Sequence, residues 1–383
     1  MLLTNAFSSD PRVNKEARSL VEAGYQVTVI AWDKSRAHTR LETRDGIKIE
    51  RIHAWPTYGH PLKKIVFLPL FWISVIVKLI FRSFHYLHCH DFDTLPCGFF
   101  LGKVRGKKII YDQHDYYSRM IKSNKNIPKI IKKPAINIVD RLEKYFVRHI
   151  DKIIVVEEVM ASDYPGLGDK LVIVSNFPEL NFFPDEITPH DEVRSRRLIY
   201  VGIMTGIRGI RQCIEAVALA REKVKEIELM LVGVINDVQL NNDIQKMMRE
   251  DKYQEVVKLV GQVPYSRVPR YLNSAGIGLL LFQPVDYHLR APYQNKLFEY
   301  AGFGLPIIAS DFQVYEDTIR KHKCGILVDP TDPVKIAEAI VYLVEHPAEA
   351  RAMGKRGIEM VRENYNWSCS EKNLLRLYRS LES

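Results

Sequence analysis

Three short stretches of this chain carry residues whose types and spacing could do chemistry. In PYQNKLFEYAGFGLPIIASD, residues 292 to 311, Asn295 and Lys296 open what reads as a short helix and Glu299 follows one turn later. Residues three apart share a helix face. A cation and a carboxylate so placed near a helix start can hold a phosphate and a sugar hydroxyl of one ligand. A surface ion pair is the plainer alternative. In LIYVGIMTGIRG, an apolar run ends at Gly202, and Gly206, Arg208 and Gly209 precede an amphipathic helix with Ile214, Val217 and Ala218. An arginine at a helix start suits phosphate, whereas the glycines alone would be ordinary turn residues. In YLHCHDFDTLP and IIYDQHDYY, His90 with Asp91, and His114 between Asp112 and Asp115, fall at the C-terminal ends of two apolar runs. In open α/β sheets that edge faces the ligand crevice. His88 and His90, two apart on a strand, point the same way, but without an evident third ligand they make only a weak metal pattern.

The elements that must position these residues read as a repeating α/β series. Asp10 and Pro11 fit an N-cap and first helical position, Val13, Ala17, Leu20 and Val21 form an apolar face, and Gly24 stops the helix. Strand Val27 to Ala31 follows, so the chain opens strand–helix–strand, the start of a doubly wound domain. Asp10 is either this cap or a direct substrate contact. Strands at Lys107 to Tyr111 and Lys152 to Val156 continue the series, with a helix from about Ala135 to His149 between them. The stretch Phe177 to Arg197 holds Pro178, Pro184 and Pro189 with little periodicity and reads as linker. A second series begins at Leu198 with the runs LIYVG, IELMLVG, VVKLVG, IGLLLF, PIIAS and KCGILVDP, and ends in a helix from about Trp367 to Leu381. The expected division is residues 1–180, a linker 181–197, residues 198–365, and a terminal helix 366–383.

At 383 residues the chain is too long for one typical core. Its apolar and charged fractions, 46% and 26%, are those of a globular protein. The five cysteines are scattered and form no C-x-x-C pair, which argues against a zinc site or a disulfide framework and for a reducing cytoplasm. The start MLLTNAF does not read as a cleavable signal.

The net charge of +9 is concentrated. Between His60 and Lys133 lie fourteen Lys or Arg and four acids, a local excess of +10. Such a block suits an anionic surface, and with no nucleic-acid motif beside it a membrane is the expected partner. Within it, Ile65 to Val77 is apolar but for Ser74, contains Trp72 and Pro69, and is flanked by Lys63, Lys64, Lys78 and Arg82. The run is shorter than the ~20 residues a spanning helix needs. It reads either as a helix lying in a membrane interface or as a core helix with one wet side.

The stretch 292–311 resembles the donor-site motif of family 4 glycosyltransferases, retaining enzymes that use nucleotide sugars and fold as two Rossmann-like domains facing a cleft (GT-B type). Glu299 matches the second of that motif's two glutamates, whereas the position of the first is Ala291. The phrases SSDPRVNKEARSL, H-x-H-D-x-D-T-L-P and D-x-H-D resemble the family's N-terminal segments, and Arg208-Gly209 fits its Lys-Gly before a helix. The resemblance implies a retaining transfer from a UDP- or GDP-sugar without a metal. It implies that Arg208 and Lys296 stabilise the leaving diphosphate, that Glu299 meets the ribose, and that backbone at Gln262 and Val263 meets the base. Gly202, Gly206, Gly209 and Asn295 complete the expected donor site. His114 is expected at the donor sugar, with Asp10, His90 and Asp91 lining the acceptor side. Together with the basic block, it implies a lipid-linked or glycolipid acceptor and an enzyme held peripherally at the inner face of the cell membrane. A sugar-nucleotide epimerase of similar architecture, or a non-enzymatic membrane-binding protein, are the alternatives.

Overall fold

The apolar runs of this sequence are four to six residues long and nearly continuous, as in TVIAWD, KIIV, RLIYV and IIAS. Strands of that composition are buried on both faces, which is the situation of a parallel sheet covered by helices. The structure, a computed structural model, describes all residues except 9, 54–60, 124–126, 188–191, 286–294 and 383; of residues 61–66, 123 and 192 only the backbone is described. The chain divides into two compact units, Met1–Asn176 with Ser370–Ser383, and Phe177–Cys369.

The first unit contains strands β1 (Leu2–Leu3), β2 (Thr28–Asp33), β3 (Leu41–Arg44), β4 (Ile47–His53), β5 (Tyr86–His90), β6 (Lys108–Gln113), β7 (Lys152–Val155) and β8 (Leu171–Ile173). Among the described residues they form one sheet in the order β3-β4-β2-β1-β5-β6-β7-β8. Every pair is parallel except β3 with β4. Register matters for the site: Leu2 lies beside both Ile30 and Cys89, and His90 lies beside Asp112. The helix Pro11–Glu22 starts as its sequence demands, with Asp10 accepting from Val13 N and proline in the first turn.

The second unit contains β9 (Arg197–Val201), β10 (Glu228–Val232), β11 (Val257–Gly261), β12 (Ile277–Leu280), β13 (Ile307–Ser310) and β14 (Gly325–Val328), in the order β11-β10-β9-β12-β13-β14 and all parallel. Chain direction across the sheet reverses between β9 and β12, the switch point of a doubly wound fold. Two apolar layers cover the sheet, one built on Ile214, Val217 and Ile340, the other on Leu297, Phe298 and Phe303.

The segment expected as linker is built into the second unit. Phe177 packs edge-on to Phe298, and Phe183 fills the space that a side chain at Gly302 would need. The buried Arg194 donates to the carbonyls of Ala275 and Phe303. The last helix, Trp367–Arg379, begins in the second unit, where Trp367 N donates to Pro178 O. From Ser370 the chain belongs to the first unit, where Leu374, Leu377 and Tyr378 are buried and Asn373 donates to Ile173 O.

Candidate functional site

The loops that leave β9 and β12 diverge at the switch point of the second sheet. Gly202 closes β9 with φ +121°, and a Cβ there would stand 2.7 Å from Lys296 Cε. Glycine therefore lets Lys296, from the helix Asn295–Gly302, lie across the strand end. Its Nζ is 5.4 Å from the Tyr200 ring centre and 6.0 Å from that of Phe282. Arg208 Cζ is 5.2 Å from the same Phe282 ring. Phe282 follows β12, so one aromatic ring at the switch point gathers two cations from two helix starts. Burial and the Arg208 charge push Lys296 down to about 7, while Glu299 pulls it the other way.

Gly209 stands at φ +68°, where a Cβ would meet Leu281 O at 1.9 Å. This close approach seats the helix Ile210–Arg221 on the strand end. No side chain caps that helix, so its first N–H groups and its dipole add to the charge of Arg208. Gly206 behaves otherwise than expected. Its N–H donates to Asp237 Oδ2 at 3.1 Å, and Asp237 also caps the helix Val238–Met247. That contact takes up the Gly206 N–H.

Glu299 is buried at 6% exposure, and Tyr265 Oη donates to its Oε1 at 2.8 Å. Asn295 is exposed at the helix start. Gln262, exposed, and Val263, packed against the core, follow β11 and lead through Pro264 into Tyr265. Ala291, where the motif departs from its family, lies outside the described residues.

In the first unit a buried ion cluster backs the switch point between β1 and β5. Arg12 Nη2 reaches Asp112 Oδ1 at 2.5 Å, and its Nε reaches Glu16 Oε1 at 3.0 Å. Asp112 Oδ2 faces His114 Nε2 at 3.1 Å and His90 Nδ1 at 3.2 Å, and Tyr378 Oη lies 2.9 Å from His88 Nδ1. Burial alone would neutralise these groups; which of them keep charge is decided by their neighbours. Burial opposes charge on His114, but Asp91 and Asp112, one near each ring nitrogen, raise it to about 9 against the repulsion of Arg12. Burial also works against Asp112, yet Arg12 and His114 hold its carboxyl well below the usual range. Glu16, pushed up by burial and by Asp112, rises to about 8. His88 and His90 are both lowered, chiefly by burial.

Glu16, His88, His90 and Asp112 could between them offer four metal-ligand atoms within 4.8 Å of one another. Arg12 already supplies a cation to both carboxylates, so the cluster fits a guanidinium-centred ion group better than a metal site. His114 and Asp91 lie at its outer edge, with side chains 18% and 42% exposed, whereas His90 is buried behind them. Asp10 is spent as a cap: Oδ1 accepts from Val13 N and Oδ2 from Asn5 Nδ2. Arg12, Glu16 and Tyr378 were not foreseen. The available signal was a charged pair, four apart, on the apolar arc of the helix Pro11–Glu22.

The basic and apolar segment forms the helix Pro61–Leu79. No helix among the described residues is long and apolar enough to cross a membrane. Trp72, expected as an interfacial anchor, instead turns inward and donates to Asp93 O at 2.7 Å. Lys78 and Arg82 both reach Glu50, at 2.8 and 2.6 Å, which offsets part of their charge. Phe71, Val75 and Leu79 are buried, while Ile73, Val77 and Phe81 are 55%, 69% and 93% exposed. The side chains of Lys63 and Lys64 lie outside the described residues.

Two parallel doubly wound units, with a terminal helix returning to the first and paired cations at the switch point of the second, define the GT-B class of fold. Residues 12–181 match the profile of Glycosyltransferase Family 4, and residues 186–360 that of Glycosyl transferases group 1. The chain is related to these family 4 and group 1 glycosyltransferases and shares their fold. It is 23% identical over 174 residues to a phosphatidyl-myo-inositol mannosyltransferase of Mycobacterium leprae, a match covering 45% of this chain and 43% of that protein. The chain thus spans under half the length of this curated relative. Among solved structures it resembles a sucrose-phosphate synthase of Thermosynechococcus elongatus (20% identity, TM-score 0.78, covering 100% of this chain and 98% of that one). It also resembles Anabaena HepE in complex with UDP (12% identity, TM-score 0.72, covering 99% and 98%).

Proposed function

We propose that this protein is a retaining glycosyltransferase that moves a sugar from a nucleoside-diphosphate sugar to an acceptor held at a membrane surface. The observation that carries the reading is the pair Arg208 and Lys296 over Phe282, with Glu299 one turn further along the same helix. When the bond between the sugar and the diphosphate breaks, negative charge grows on the departing phosphate. Arg208, Lys296 in its protonated form and an uncapped helix start are suited to stabilise it. Glu299 would accept from the ribose hydroxyls, and Gln262 and Val263 would meet the base. His114, kept cationic by Asp91 and Asp112, would act at the donor sugar.

The transfer needs no divalent metal on this reading, because Arg208 and Lys296 do that work. HepE, of the same fold, has been solved with UDP, which supports a uridine or related nucleotide as the leaving group. The membrane part rests on the +10 block and on the exposed apolar row Ile73, Val77 and Phe81. It places the protein peripherally at the cytoplasmic face, with a lipid-linked or glycolipid acceptor.

The test begins with a panel of nucleotides in thermal unfolding, since a ligand at 100 times its dissociation constant adds about 2.7 kcal/mol of stability. The nucleotide sugar it selects is then incubated with and without membrane lipid extract. Transfer to lipid with the anomeric configuration kept supports the reading. An epimer formed without acceptor would assign the protein to the epimerase class, and no stabilisation by any nucleotide would remove the donor site altogether.

A further inference from the structure

A cavity of about 840 Å³ opens at the edge where the parallel strands of the first unit begin. Thr28 and Tyr86, the first residues of β2 and β5, line it with Lys48, second in β4. Tyr25, Tyr378 and Glu382 close its other side. The volume falls in the range of roughly 300–1,000 Å³ usual for small-molecule sites. Since β5 runs from Tyr86 to His90, the cavity stands about 13 Å along the strand from the edge that carries His90 and His114. Its wall is aromatic: the Tyr378 ring lies 5.3 Å from that of Tyr25 and 5.4 Å from that of Tyr86. Tyr25 Oη donates to Glu382, and Tyr378 Oη lies against His88. The Tyr86 hydroxyl has no hydrogen-bond partner among the described residues. The charges are unbalanced. Lys48 is exposed and makes no ion pair among the described residues, and Arg82 commits only Nη1 to Glu50. Among the described residues that line the cavity, Glu382 is the one carboxylate.

We propose that this cavity is a second binding site, for a small phosphate monoester carried on a ring. Lys48 and Arg82 hold the phosphate, which bears a charge of about −1.5 to −2 near pH 7 and suits the free N–H groups of a guanidinium. The ring lies against Tyr25 and Tyr86, with the Tyr86 hydroxyl available to a polar substituent. Inorganic phosphate alone would leave the aromatic wall and most of the volume unused. A wholly apolar guest would leave Lys48 and Arg82 without a counter-charge and gain nothing from them. The cavity shares no residue with the donor site of the second unit, and its assignment does not rest on the nucleotide-sugar reading.

Calorimetric titration of the full chain with phenyl phosphate, glucose 6-phosphate and inorganic phosphate tests this, with the His85 ring followed by NMR in the same titrations. His85 lines the cavity, is exposed, and holds its ring 6.2 Å from that of Tyr86. It therefore reports this cavity rather than any phosphate bound in the second unit. At least one of the two esters should bind about 10-fold or more tighter than inorganic phosphate, the scale of one stacked ring. The His85 signals should move with the same midpoint as the heat. Lys48→Ala, at an exposed position, should weaken that ester about 10-fold or more, the loss of a hydrogen bond to a charged group. Preference for phenyl phosphate assigns an aromatic ring to the ligand, and preference for glucose 6-phosphate a sugar ring. Inorganic phosphate binding as tightly as both esters overturns the proposal. So does binding that leaves the His85 signals in place or is unchanged in Lys48→Ala, and so does the failure of both esters to bind.

Discussion

Lys296 gives the donor half a pH signature that can be worked out in advance. Its ammonium is held near pKa 7 by burial and by Arg208. In the free protein it is therefore roughly half neutral at pH 7 and about nine-tenths neutral at pH 8. A diphosphate placed between Lys296 and Arg208 favours the charged form, so its binding must draw a proton onto Lys296. The sign follows: the bound pKa lies above the free one, and affinity declines as pH rises past 7. The decline approaches tenfold per pH unit until the bound pKa is reached. Calorimetry with UDP or GDP at pH 8 is the cleanest assay, because the terminal phosphate, with a second pKa near 6, is then already ionised. Repeating the titration in buffers of different ionisation enthalpy should show uptake of about 0.9 proton per nucleotide. Lys296→Arg stays charged throughout, so its uptake should vanish and its affinity should be flat with pH. Zero uptake in the wild type, or equal uptake in Lys296→Arg, would refute the reasoning.

Glu299→Gln should keep the fold and unfold near the wild-type temperature, yet bind nucleotide about 10-fold or more weaker, as expected when a charged acceptor is lost; titration of the purified variant checks this. His114 should titrate near 9 by proton–carbon NMR, with His88 and His90 below the usual imidazole range. Because its folded pKa is raised, His114 contributes stability that is complete below its unfolded value of about 6.5 and is lost as pH rises through 9. Urea unfolding of wild type and His114→Gln across that window measures the difference, and a His114 titration at the ordinary value would undo the two-carboxylate account. Membrane binding should appear in flotation with anionic vesicles and weaken with salt, each basic residue near the surface adding roughly 1 kcal/mol. Equal binding to neutral vesicles, or none to either, removes the electrostatic part, and Val77→Glu should reduce any binding that remains.

Much of the fold was legible because its strands are buried on both faces and stand out as apolar runs. What escaped were elements without that signal. The hairpin β3–β4 alternates in burial, and its turn, Asp45-Gly46 with both residues at positive φ, was the mark to read. The helix Lys129–His149 starts six residues before Ala135 and carries Pro134 inside it. Phe177, Phe182 and Phe183 turned the supposed linker into part of the second core. The positions of the proposed donor residues were legible because Gly202, Arg208, Lys296 and Glu299 fall at strand ends and helix starts, where local sequence fixes position. Arg12, Glu16 and Tyr378 were not, because their partners include residues up to 290 positions away that only the fold brings near.

The central claim is that Arg208 and Lys296, rather than a metal, hold the nucleoside diphosphate. Its most direct test is titration with UDP and GDP in excess chelator, for wild type, Arg208→Ala and Lys296→Ala. The account predicts binding in chelator by the wild type, and a loss of about 10- to 100-fold in each variant, the scale of one hydrogen bond to a charged group. Binding that disappears on chelation and returns with Mg²⁺ or Mn²⁺ would contradict it.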